Sequence, residues 1–182
     1  LQAVSYPAPN FSHFRATDIW LTGSDSNKLE TTGWLGRYLE KENPGYPEGY
    51  PNAANPDPLA IQIGSVLSPA LQGNVVNMGM SITDPSSFYN LITGSADPTP
   101  NTPYGHELTY IRLVAQQTQQ YAASVKNAAA SGSNLSTLYP ATGNSLSDQL
   151  KIVAKLISGG LKTKVYMVSL GGFDTHSNQV QS

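Results

Sequence analysis

Apolar residues recur at three- and four-residue steps in two long stretches of this chain. In Tyr104–Ala130 they fall on Leu108, Ile111, Ala115, Ala122, Val125 and Ala129, with Thr118 on the same line. That is one stripe of an amphipathic helix, with Gln and Asn over much of the opposite face. Gly132 marks its end. Ser145–Ser158 carries Leu146, Leu150, Val153 and Ile157 and reads as a second helix. Ser145 and Asp148 have the spacing of a capping box, and Gly159-Gly160 supplies the stop. Trp34, Leu35, Tyr38 and Leu39 predict a shorter helix over Trp34–Glu42. Phe11–Leu21 suits a short helix or an irregular loop.

Other stretches carry a strand pattern. Leu59–Ile63 alternates and reads as a strand. Val75–Ile82 is expected to pair with it, since Gly73-Asn74 lies between them as a turn signal. Leu1–Tyr6 reads as a short strand stopped by Pro7 and Pro9. Thr163–Leu170 is nearly continuous in apolar residues, which suggests a strand buried on both faces. A capped helix, a short turn and a buried strand form an αβ unit, so a layered, mainly parallel sheet with flanking helices is expected. Pro85–Thr93 is helical in pattern, and residues Gly94–Pro103 form a Pro-rich connection.

Residues Asn43–Pro58 contain five prolines and two glycines, so they form a loop. A loop of this length inside a compact domain is usually functional or mobile.

Composition narrows the class. A chain of 182 residues, 39% hydrophobic, supports one domain with a real core. Only 12% of residues are charged, against a usual share of roughly 25%. A polar but weakly charged surface is common in exported proteins. The formal net charge of −2 and the scattered Lys and Arg residues argue against a nucleic-acid partner. No stretch approaches the ~20 apolar residues of a membrane span. With no cysteine, thiolate chemistry and disulfides are excluded. The chain opens at Leu1 and closes on polar sequence without a final helix or strand. Residues 1–182 are therefore expected to be a single-domain piece, internal to a larger domain.

Candidate chemistry concentrates after the last strand, in Gly171-Gly172-Phe173-Asp174-Thr175-His176. In open α/β sheets ligands bind beyond the carboxyl ends of strands. Asp174 and His176, two apart in extended backbone, point to one side. They could share a divalent cation or form an acid/base pair. Asp174 could equally cap a following helix. The second cluster is His13, Arg15 and Asp18 among aromatics, where Arg15 and Asp18 have the spacing of a helical ion pair. Arg37, in Gly33-Trp34-Leu35-Gly36-Arg37, could clamp an anion through its fork or lie on the surface over Trp and Tyr. His106 is read as structural. No phosphate loop, nucleophile elbow or H-E-x-x-H is present.

Three segments in order carry a resemblance: Ser5 to Trp20 with its Ser12-His13-Phe14-Arg15 core, Gly33 to Arg37, and Gly171 to Gln179. The set resembles a bacterial family of unknown function, exported with a twin-arginine leader, which is similar to the alkaline phosphatase and sulfatase superfamily. The resemblance implies a doubly wound α/β fold of that type and a periplasmic or secreted address. It implies a metal-dependent hydrolase of phosphate or sulfate esters, acting on a small-molecule or glycan ester. Asp174 and His176 match a metal-ligand pair for zinc, manganese or calcium. His13, Arg15, Asp18 and Arg37 would line the substrate pocket. The nucleophile-bearing strand end and the remaining metal ligands would come from the rest of the same polypeptide, so the piece alone is expected to be inactive. Two further readings stand beside this one. One is a non-catalytic exported binding or assembly protein, with loop 43–58 as a carbohydrate-facing surface. The other is a metal-free acid/base hydrolase using His13 and Asp174.

Overall fold

The computed structural model describes residues 6–9, 12–85, 101–140 and 143–173. The expected strand at 1–6 and the expected helix at 85–93 lie outside these residues or only touch their edge. The described elements run α1 (His13–Thr22), α2 (Trp34–Glu42), β1 (Ala60–Ile63), β2 (Met80–Ile82), α3 (Pro103–Ser131), α4 (Ser145–Ser158) and β3 (Val165–Met167), with one 3-10 turn at Pro69–Leu71.

The protein is α/β. Its three described strands form one all-parallel sheet in the order β2-β1-β3, flanked by helices. In register, Ile61 stands beside Met80 on one side and Tyr166 on the other. Successive side chains of a strand alternate between faces, and the core divides accordingly. Ala60 packs with Leu35 and Leu39 of α2 and with Leu71, Val76 and Met78 of the loop beyond β1. Ile61, Ile63 and Ile82 pack with Val125 and Ala128 of α3 and Leu156 of α4. The sheet is thus a middle layer, with α2 on one side and the α3–α4 pair on the other.

Three expectations change. The strand at Val75–Ile82 shortens to Met80–Ile82, and it pairs with β1 in parallel, not as a hairpin. Parallel neighbours need a crossover, and residues 64–79 provide it. The Gly73-Asn74 turn closes a smaller feature: Gln72 bridges Asn77 antiparallel, and the Gly73 N–H donates to the Val76 carbonyl at 2.8 Å. The fully buried strand is β1, whereas β3 is half-buried, because β1 is its only partner among the described residues. Finally, α4 is capped by Asn144 instead of Ser145. The Asn144 side chain accepts from the Ser147 N–H at 2.9 Å, leaving Asp148 free to sit in the first turn against the helix dipole.

The core side chains described on the long helix α3 belong to its later turns. Tyr121, Ala122, Val125 and Ala128 are in the core, while Ile111 is 58% exposed. Its end crosses the end of α4 at very short range. A Cβ on Gly132 would lie 1.8 Å from the Lys155 carbonyl oxygen, and one on Gly159 would lie 1.9 Å from that of Ala128. Only glycine permits this backbone approach, so each helix ends where the other passes.

Loop 43–58 is anchored. Asn43 is buried, donates to the Leu39 carbonyl at 2.7 Å and accepts from Lys164 at 3.3 Å. Asp57 accepts the Lys162 N–H at 2.8 Å. Tyr46 and Tyr50 stack edge to face at 5.2 Å and pack against the core around α2. The two half-buried tyrosines therefore pack inward against this core.

Candidate functional site

A parallel sheet brings every strand's carboxyl end to the same edge. At that edge lies a cleft of about 500 Å3. Gln62, Ile63, Gly64, Ser65 and Val66 enter it from the end of β1, Thr83 from the end of β2 and Ser169 from beyond β3. The first turns of α4 close it with Ser145, Asp148, Gln149 and Ile152. The position is the one at which open α/β sheets hold ligands.

Several side chains fix this geometry. Gln149 donates to the Ser169 carbonyl at 2.8 Å and accepts the Ser169 N–H at 2.8 Å. The chain leaving β3 is thereby tied to α4. Gln62 accepts the Ser68 N–H at 2.6 Å, which folds the loop after β1 back over the strand end. Asp148 pairs with Lys151 at 3.0 Å, and Lys151 also donates to the Pro140 carbonyl at 2.8 Å.

The residues singled out from sequence fall in two places. Asp174 and His176 lie outside the described residues. The chain is described as far as Phe173, and Gly171, Gly172 and Phe173 follow Ser169 as exposed residues. His13, Arg15 and Asp18 all sit on α1, where Ser12 is the N-cap and accepts the Arg15 N–H at 3.3 Å. His13 and Asp18 are exposed. Arg15 does not reach for Asp18. Its guanidinium donates to the carbonyls of Asp25 at 3.3 Å, Ser26 at 3.1 Å and Lys28. Arg37 donates to the Thr32 carbonyl at 2.8 Å, the Thr32 hydroxyl at 3.0 Å and the Thr22 carbonyl at 2.8 Å. Both arginines hold the α1–α2 corner together through backbone oxygens. None of His13, Arg15, Asp18 and Arg37 lines the carboxyl-edge cleft.

The glycines around Arg37 have a structural reason. A Cβ at Gly33 would lie 2.1 Å from the Ala70 carbonyl oxygen, and one at Gly36 would lie 2.2 Å from that of Gln72. The start of α2 lies directly on the backbone of residues 69–73.

Among the described residues no three His, Asp or Glu side chains gather. Among the described residues Asp148 is the one carboxylate that lines the cleft, and Lys151 holds one of its oxygens. This described donor set does not fit zinc, which needs at least three protein ligands.

Away from the cleft lining, the hydroxyls of Tyr121, Thr163 and Tyr166 are buried without a hydrogen-bond partner. Burial pushes the Tyr121 phenol up to about 12, and the nearby Tyr50 and Asp57 add to this. Burial also raises Tyr166. The Thr163 hydroxyl opposes that rise weakly, although the two groups do not reach hydrogen-bonding geometry.

The cleft residues Gln62, Thr83, Gln149 and Ser169 were not singled out from sequence. Their signal is positional: a polar residue at or just after the end of a strand. It can be read only once the strand ends are known.

No family model, curated protein or solved structure matches this chain. No helix among the described residues is long and apolar enough to cross a membrane.

Proposed function

We propose that this chain is part of an exported α/β domain of the alkaline phosphatase and sulfatase type, which hydrolyses phosphate or sulfate esters with a divalent metal. The carboxyl-edge cleft is the ligand site in this reading. One observation carries it. The Gln149–Ser169 pair holds the chain at the cleft, so Gly171-Gly172-Phe173 departs from the cleft wall immediately before Asp174 and His176. The two glycines let the backbone turn there. A carboxylate and an imidazole are suitable ligands for zinc, manganese or calcium, with the remaining ligands and the nucleophile supplied by other parts of the polypeptide. Arg15 and Arg37 serve in this reading as braces of the α1–α2 corner, while His13 and Asp18 are exposed on its surface.

The test is ester hydrolysis by the whole protein, with aryl phosphate and aryl sulfate substrates and added zinc, manganese or calcium. Metal-dependent turnover that Asp174→Ala and His176→Ala each abolish supports the reading. No turnover, or turnover indifferent to Asp174→Ala, counts against it.

A second reading is favoured by a separate observation. Phe14, Trp20, Trp34 and Tyr38 on α1 and α2 are exposed, Phe14 by 86%. Large aromatics left bare on neighbouring helices mark a contact surface. A non-catalytic binding or assembly protein would use that surface, and a mixture of Phe14→Ser and Trp20→Ser should then abolish partner capture without touching any ester chemistry.

A further inference from the structure

We infer that the cleft wall formed by Gln62, Thr83, Asp148 and Ser169 binds the hydroxyl groups of a neutral sugar, so that the ester acted on is carried by a carbohydrate. The inference rests on the reading of this cleft as the ligand site.

Charge comes first. The described lining contains no Lys, Arg or His and one carboxylate, Asp148. Anion pockets are built from cationic forks or converging N–H groups. Here the amino end of α4 is already compensated, by the Asn144 cap and by Asp148 in its first turn. A free anion gains little from this wall.

Donor geometry comes second. Gln62 is only 8% exposed, yet it lines the cleft. Its amide oxygen accepts the Ser68 N–H, and that bond fixes which end of the amide is oxygen. The N–H2 end has no hydrogen-bond partner among the described residues. It is also not sealed from solvent, since it is not among the buried orphan atoms. The donor is therefore open to the cleft, where water or a bound ligand can accept from it.

The remaining groups complete a polyol pattern. Lys151 holds Asp148 Oδ1, which orients Oδ2 as an acceptor. The hydroxyls of Thr83 and Ser169 both donate and accept. A sugar hydroxyl does the same and so can pair with every group in this set. Ile152 and the 73% exposed Val66 provide apolar surface for the C–H face of a ring. The volume of about 500 Å3 suits a small organic ligand, for which pockets run roughly 300–1,000 Å3.

The experiment titrates the whole protein with methyl glycosides of gluco, galacto and manno configuration, and separately with inorganic phosphate and sulfate, read by saturation-transfer NMR. Thr83→Val alters an exposed position and should leave thermal unfolding unchanged, while Asp148→Asn gives up the Lys151 pair and part of the helix-end compensation and should lower stability only slightly. We expect at least one glycoside to bind, and each variant to weaken it about tenfold, the loss of one good hydrogen bond. Gln62→Glu keeps the Ser68 contact and removes the donor, and should weaken binding as much. Binding of phosphate or sulfate alone, or glycoside binding unchanged in all three variants, overturns the inference. The two readings separate cleanly. Aryl-ester turnover with no glycoside binding sinks the sugar wall and leaves the hydrolase. Glycoside binding with no turnover of any ester, sugar phosphate and sugar sulfate included, does the reverse.

Discussion

Gln149 and Ser169 exchange two hydrogen bonds of 2.8 Å each. The side-chain amide of a helix here does for β3 what a neighbouring strand would do, because it offers one donor and one acceptor to one backbone residue. The consequence is positional. The chain that continues to Asp174 leaves from a fixed point on the cleft.

Replacing Gln149 with Ala should therefore lower stability by about 1–2 kcal/mol, the net worth of two partly exposed hydrogen bonds. Urea unfolding measures this. Gln149→Glu retains the acceptor and should recover about half. In the whole protein, ester turnover should fall further than stability does, with kcat affected more than KM. Full turnover in Gln149→Ala would break the link between this tie and the chemistry.

Arg37 spans α1, the following loop and α2 through the Thr22 carbonyl and two oxygens of Thr32. We expect Arg37→Ala to cost about 2–3 kcal/mol, since bonds from a charged donor are worth more than neutral ones and three oxygens lose a partner. Lysine carries the charge but not the planar fork, so Arg37→Lys should recover less than half. Equal stability of the Lys variant and the native protein in urea unfolding would contradict this.

The reading of the sequence succeeded where local pattern and burial coincide. Trp34, Leu35, Tyr38 and Leu39 placed α2 with its correct ends, and the run ending at Ile63 placed β1. It failed where the partner is remote. Gly73-Asn74 is a good local turn signal, but β2 pairs in parallel because the crossover returns the chain to the same edge. The prolines and glycines of 43–58 announced a loop correctly and said nothing of Tyr46 and Tyr50 turning inward. The glycines beside Arg37 answer to the backbone of Ala70 and Gln72, remote residues that no local pattern around Arg37 displays. The cleft was legible only as a rule about strand ends. Gln62, Thr83 and Ser169 lie at or just beyond the ends of three separate strands and share no spacing that a sequence could display.

Gly33 and Gly36 face carbonyl oxygens, not flexible side chains, so the neighbours cannot yield cheaply. Gly36→Ala should cost about 2–3 kcal/mol, the range of overpacking in a tight core. This outweighs the gain of roughly 1 kcal/mol that Ala brings to a helix interior. Gly33→Ala, at the N-cap, has no such compensation and should cost more. A neutral or stabilising Gly36→Ala in thermal unfolding would mean that the 69–73 turn can move away.

Tyr121 combines burial with an unanswered hydroxyl. It is 3% exposed, its oxygen has no partner, and burial is the leading cause that lifts its phenol to about 12. The unfolded chain loses this proton near the ordinary value of about 10. Between the two values the folded state holds a proton that the unfolded state has released. Stability is therefore unaffected below the unfolded value and declines as pH rises toward the folded one. Tyr121→Phe removes both the orphan hydroxyl and the titration. It should stabilise the protein at neutral pH by about 1 kcal/mol, since it relieves a polar group buried without a bond. It should also make the decline above about pH 10 shallower. Urea midpoints at pH 7, 9, 10.5 and 11.5 (a series chosen to bracket the phenol values) measure both effects. A loss of stability in Tyr121→Phe at pH 7 would place an ordered water on that hydroxyl, and the gain argued here would vanish with it.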